Sequence, residues 1–154
     1  MEYHSRKPTR IPNYDYSSAN YYFITICTWN HKCIFGQPND LNETGEIVKK
    51  HIHQLSDYYQ SVSVDKFVVM PNHIHMILVL NEERNPSVSQ IIALFKTGVT
   101  KELRKKSPEF KVWQRSFHDH IIRTQASYEK IWLYIEANPM NWDKDCFYAG
   151  IREG

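Results

Sequence analysis

The chain has 154 residues, 42% of them hydrophobic and 14% aromatic, and a formal net charge of only +2. One globular domain spanning 1–154 with a sizeable core is expected at this length, and so small a charge does not by itself mark a nucleic-acid binder. Three cysteines (Cys27, Cys33, Cys146) without a Cys-x-x-Cys spacing argue against a disulfide framework or a cysteine zinc site. No apolar run nears the ~18 residues of a membrane span, so a soluble protein of the reducing cytoplasm is expected.

Residues 1–18 carry prolines, the charges Arg6, Lys7 and Arg10, and the run Arg10-Ile11-Pro12-Asn13-Tyr14-Asp15-Tyr16. They read as an irregular arm without the apolar stretch of a signal peptide. Tyr21 to Thr28 is rich in β-branched and aromatic residues and reads as a strand. Asn42 caps a helix in which Val48, Ile52, Leu55 and Tyr59 recur at steps of four, three and four. Val62 to Met70 and His73 to Leu80 are apolar runs split by Pro71-Asn72, a hairpin at the centre of a sheet. After a polar break from Asn81 to Pro86, Ser87 and Gln90 form a capping box. The helix it opens carries Ile91, Ile92, Phe95, Val99 and Leu103 and ends at Pro108. Its basic run, Lys96, Lys101, Arg104, Lys105 and Lys106, is by itself a solvated face.

Val112 to Arg123 is mixed, with a short strand expected around His120 to Arg123. Thr124 or Ser127 caps a last helix with Tyr128, Ile131, Trp132 and Ile135 inward, stopped by Pro139. The first six elements match an α+β, ferredoxin-like β-α-β-β-α-β antiparallel sheet, with an additional C-terminal helix. That fold hosts many functions, so the site has to decide.

His-x-His occurs at His51/His53, His73/His75 and His118/His120. On a helix, residues two apart point roughly 200° away from each other, so His51 and His53 cannot share a metal. On a strand they face the same side, and His73 and His75 open a strand that is otherwise apolar. Buried imidazoles need partners, either a divalent metal or backbone carbonyls. His118 and His120 lie in a polar stretch and are supporting candidates, for substrate contacts or for positioning other groups.

Tyr134 and Asn138 are four residues apart on the last helix, on one flank of its apolar stripe. That border between core and solvent is where a polar group can face a cleft, though tyrosines also sit there for packing alone. A phenol can attack a phosphodiester if a cation neutralises the phosphate oxygens. Two imidazoles and an Asn carboxamide oxygen suit Mg²⁺ or Mn²⁺. Pro139 is expected to push Asn138 out of helical geometry, aiming it back at the metal.

Val69-Met70-Pro71-Asn72-His73-Ile74-His75-Met76-Ile77 resembles the HUH signature of the single-tyrosine, insertion-sequence type transposases. Trp113-Gln114-Arg115-Ser116-Phe117, Asp119-His120-Ile121-Ile122-Arg123 and Tyr134-Ile135-Glu136-Ala137-Asn138-Pro139 resemble its later blocks. The last is similar to that of the REP-associated tyrosine transposases, and the resemblance runs from about Arg10 to Tyr148. It implies metal ligands at His73, His75 and Asn138, and a nucleophile at Tyr134. It implies cleavage and rejoining of single-stranded DNA, often beside a hairpin, through a 5′-phosphotyrosine and a free 3′-hydroxyl. Lys96, Lys101, Arg115 and Arg123 become candidate phosphate contacts, and Arg10, Tyr14 and Tyr16 of the arm candidates for the hairpin foot. Relatives differ in whether the tyrosine helix works in cis in a monomer or in trans across a homodimer.

Two other readings make different predictions. A non-catalytic single-strand-binding module would stack bases on sheet aromatics such as Tyr22 and Phe23 and need no metal. A phosphodiesterase using metal-bound water would keep cutting without the Tyr134 hydroxyl. A domesticated transposase shares the chemistry and differs only in biological role.

Overall fold

The structure, a computed structural model, describes residues 20–81 and 86–144. Strand β1 (Asn20–Cys27) leads through a single 3-10 turn to a small hairpin, β2 (Gly36–Gln37) and β3 (Asp40–Leu41). Helix α1 (Glu43–Tyr58) follows, with the Asn42 side chain accepting from the Gly45 N–H at 2.9 Å. Strands β4 (Val62–Met70) and β5 (His73–Leu80) flank the Pro71-Asn72 turn. Helix α2 (Val88–Leu103) opens on the Ser87/Gln90 capping box. Strand β6 (His118–Ile122) and helix α3 (Gln125–Ala137) complete the order, and Thr124 caps α3 by accepting from Ser127 N–H at 3.1 Å.

Four strands form one antiparallel sheet in the order β4-β5-β1-β6, the topology of the ferredoxin-like arrangement. The two-residue strands β2 and β3 pair only with each other and carry too little pattern to be read from sequence. Gly36 starts them with φ of +103°, in a place where a Cβ would meet Asn42 N at 2.5 Å.

Alternation along the strands divides the core in two. Ile74, Met76, Leu78 and Leu80 of β5, with Tyr22, Ile24 and Ile26 of β1, pack under α1 and α2. On the other face, Phe23, Ile77 and Val79 join Ile122 and the α3 residues Ile131 and Ile135 in a smaller cluster. His73 and His75 leave β5 on that second face. A slip of one residue would exchange these histidines with Ile74 and Met76, so the register of the central strand is locked by burial.

Helix α3 is tied mainly to β4. The β4–β5 register shifts between Val64 and Lys66, a bulge that leaves Asp65 as the extra residue. Because of it, consecutive residues both reach the helix: Tyr128 Oη donates to Asp65, and Lys66 pairs with Glu136 while lying 4.0 Å over the Trp132 ring.

Strand β6 begins and ends earlier than the His120 to Arg123 expected, because it pairs with β1 from Thr25↔His118 to Tyr21↔Ile122. Two of its polar side chains, His118 and His120, face the candidate site and mask the strand signal. Among the described residues no helix is long and apolar enough to cross a membrane.

Candidate active site at the mouth of the sheet

His73 and His75 are 0% and 2% exposed, with ring centroids 4.6 Å apart. Each ring is held from behind through Nδ1. The His73 Nδ1 lies 2.9 Å from Asn72 Oδ1, and the His75 Nδ1 lies 2.8 Å from Thr25 Oγ1. Asn72 Nδ2 donates to the His31 carbonyl at 3.1 Å, which fixes which end of that carboxamide is oxygen. An amide oxygen can only accept, so His73 carries its proton on Nδ1 and turns the Nε2 lone pair toward the site.

Tyr134 stands on α3 above these rings, its centroid 5.3 Å from His75 and 6.2 Å from Phe23. It is 44% exposed, open to a substrate, whereas Asn138 one turn later is 3% exposed. Asn138 Nδ2 donates weakly to the Tyr134 carbonyl at 3.5 Å, and its Oδ1 has no hydrogen-bond partner among the described residues. A buried amide oxygen left so costs about 1–3 kcal/mol, and a hard cation is a chemically fitting partner for it. No group of three His, Cys, Asp or Glu side chains suited to a metal occurs among the described residues. A metal here would rest on the mixed set His73, His75 and Asn138, two imidazoles and one amide oxygen able to serve as ligands to a divalent cation.

The expectation that Pro139 drives Asn138 out of helical geometry is corrected. Asn138 keeps φ −55° and ψ −46°. The chain continues in tight turns past the proline, with Asn141 N–H donating to both Ala137 and Asn138 carbonyls at 3.1 Å, which offsets the steric preference. Helical spacing alone puts Asn138 beneath Tyr134.

His118 and His120 of β6 face the same side, opposite Thr25 and Phe23 of β1. The helix pair does not converge. His51 Nε2 bonds Glu102 at 2.8 Å, and His53 packs edge-on to Phe67 at 5.3 Å. Lys50 and then His51 hold the Glu102 carboxyl below its ordinary range, so this cluster fastens α1 to α2.

Of the candidate DNA contacts, Arg10 and Tyr14, like Tyr16, lie outside the described residues. Lys101 is exposed in an open depression of about 580 Å³ with Lys96, Thr97, Thr100, Arg104 and Lys105. Arg115 and Arg123 are exposed on either side of β6. Lys96 is partly committed, its Nζ donating to the Gln114 and Ser116 carbonyls at 3.0 and 2.5 Å. Tyr22 and Phe23, 0% and 3% exposed, offer no face to a base.

Asn72 and Thr25 escaped the sequence reading. Asn72 was legible only as a turn residue, and Thr25 meets His75 from a strand 50 residues away. Asn72→Ala should weaken Mn²⁺ binding about 10- to 100-fold in titration calorimetry, with Asn72→Asp, which keeps an acceptor toward His73, recovering much of the loss. Equal affinity in all three proteins would show that the Asn72 bond does not orient the ring.

A ferredoxin-like sheet presenting paired histidines to a tyrosine-bearing helix is the architecture of a single-tyrosine HUH protein. The family described as "Transposase IS200 like" matches residues 15–138, and the chain belongs to that family. An uncharacterized protein of Haemophilus influenzae (strain ATCC 51907 / DSM 11121 / KW20 / Rd) is 36% identical, covering 95% of this chain and 94% of its own. A second protein of that strain, provisionally named a REP-associated tyrosine transposase, is 26% identical over 90% of this chain and 85% of its own. Among solved structures, a REP-associated tyrosine transposase bound to a REP hairpin has a TM-score of 0.69 at 22% identity, covering 86% of this chain and 73% of that one. A provisionally named transposase of Deinococcus radiodurans R1 has a TM-score of 0.55 at 15% identity, covering 84% and 96%.

Proposed function

We propose that the chain nicks and rejoins single-stranded, hairpin-associated DNA through a 5′-phosphotyrosine on Tyr134, with Mg²⁺ or Mn²⁺ held by His73, His75 and Asn138. The observation that carries this reading is the half-exposed Tyr134 ring 5.3 Å from His75, directly over the buried donor set. The bound cation would neutralise phosphate oxygens and so make phosphorus open to attack. The chain's own part is to hold the phenol in line, to keep both imidazoles oriented through Asn72 and Thr25, and to bind the strand. In cleavage the Tyr134 Oη–P bond forms, the P–O3′ bond breaks, the phenol proton passes to solvent and O3′ takes one up. Rejoining reverses each change. Helix α3 folds back on its own sheet and sets Tyr134 5.3 Å from His75, which supports action in cis.

Affinity for hairpins is proposed from the likeness to the hairpin-bound transposase and from the exposed Lys101, Arg115 and Arg123. Lys96 contributes to the same basic surface, and Arg10 and Tyr14 of the arm are candidates for the hairpin foot. Among the described residues Cys33 is exposed and joined to no other cysteine, which suits a reducing cytoplasm. The test is incubation with hairpin-flanked single-stranded DNA and Mn²⁺, which should give a covalent protein–DNA adduct. Binding should fall steeply with salt, and each lost phosphate contact should reduce the slope by about 0.9 or less. Equal affinity for plain duplex and single strand at matched salt would count against the reading.

A further inference from the structure

The loop ahead of β6 is built more firmly than a connection requires. Gln114 N–H donates to the Cys27 carbonyl at 2.9 Å, and Trp113 bridges to Thr28. Lys96 Nζ, reaching across from α2, draws the Gln114 and Ser116 carbonyls together. Between those anchors Ser116 has φ of +73°, a left-handed conformation that a non-glycine residue holds only when its surroundings impose it. The braced loop encloses a pocket of about 70 Å³ lined by Cys27, Gln114, Arg115, Ser116, Phe117 and His118. Its lining carries a guanidinium and an imidazole and no carboxylate. His118 Nδ1 is buried and makes no hydrogen bond among the described residues.

Register fixes where this pocket lies. Cys27 is the partner of His73, and Thr25 is the partner of both His75 and His118. The pocket is thus one strand spacing, roughly 5 Å, from the histidine pair on the β6 side. Helix α3 packs mainly on β4 and β5, and the Tyr134 ring lies nearer His75 of β5 than Phe23 of β1, so the phenol approaches from the β5 side of the pocket. An in-line displacement sends the leaving oxygen away from the attacking one, toward β6. A pocket of this size has room for a phosphate group and too little for a nucleobase.

Resting on the function proposed above, we infer that this pocket is the acceptor-strand subsite. Arg115 and His118 hold the last internucleotide phosphate of the strand that ends in the 3′-hydroxyl, keeping that strand beside the phosphotyrosine until rejoining. The chemistry is unchanged and redox-neutral: O3′–P forms, Tyr134 Oη–P breaks, and the proton released by the 3′-hydroxyl is balanced by the one the phenolate takes up.

The test is a cycle between protein and DNA, using the full chain. Short single strands ending in a 3′-hydroxyl, with either a normal phosphate or a neutral methylphosphonate at the last linkage, are bound to wild type, Arg115→Gln and His118→Ala by fluorescence anisotropy. The methylphosphonate should weaken binding to wild type about tenfold and cost the Arg115→Gln protein little more. In joining assays on the preformed adduct, the strand concentration for half-maximal rejoining should follow the same pattern. Equal loss in wild type and both variants, or no loss in wild type, overturns the subsite. The binding cycle needs no cleavage, so non-additive binding without any adduct overturns the proposed function and leaves a phosphate pocket standing. An adduct with additive binding does the reverse.

Discussion

Tyr134→Phe should bind DNA and Mn²⁺ as wild type does and should lose cleavage by at least about a thousandfold, because the attacking oxygen itself is removed. The half-exposed ring sits on a helix flank, so the fold has little to lose with the hydroxyl. Tyr128 is the neighbour best placed to compete, and its environment disqualifies it. Its hydroxyl donates to Asp65, and that bond, with burial adding to it, pushes its pKa up to about 12. A hydroxyl committed to Asp65 and pointed at β4 is turned away from a phosphorus over β5. Mass spectrometry of the wild-type adduct should find DNA on the peptide containing Tyr134. An adduct on Tyr128, or undiminished nicking by Tyr134→Phe, sinks the assignment; nicking without the hydroxyl would favour metal-activated water.

His73→Ala and His75→Ala are each expected to lower Mn²⁺ affinity at least about a hundredfold and to abolish adduct formation. Both side chains are buried, so stability should also fall by about 1–3 kcal/mol as Asn72 and Thr25 lose their ring partners. Circular dichroism separates that loss from the loss of metal. The paired control is His51→Ala with His53→Ala, which should leave Mn²⁺ binding unchanged while loosening α1 from α2. If the control loses metal and His73→Ala keeps it, the wrong histidine pair has been chosen.

What the sequence discloses follows local chemistry. Both strands of the β4–β5 hairpin begin and end where Pro71-Asn72 and the apolar runs say, although only β5 is central and β4 lies at the edge of the sheet rather than at the expected centre, and the Asn42 and Ser87 caps are present as read. The choice of His73/His75 for one face needed only the two-residue period of a strand. Hidden features depend on distant partners. Nothing near Thr25 signals that it braces His75, and nothing near Lys96 signals that it serves two carbonyls of a loop nearly twenty residues on. Strand β6 starts two residues earlier than its apolar residues indicate, because His118 and His120 answer to the site rather than to the core. Asn138 stayed helical because bonds formed beyond Pro139 outweigh a preference that sequence rules treat as local.

The extra residue in β4 acts as a ruler. With strict alternation, Asp65 and Lys66 would point to opposite sides of the sheet, and only one could reach α3. The two grips on the helix lie about two turns apart, at Tyr128 and Glu136, with Tyr134 between them. Shortening β4 by one residue would release one grip and let α3 pivot about the other, carrying Tyr134 off His75 although no residue of the site had changed. The length of an edge strand is thus part of the address of the tyrosine, and homologous chains grafted at this helix would have to match β4 as well as α3.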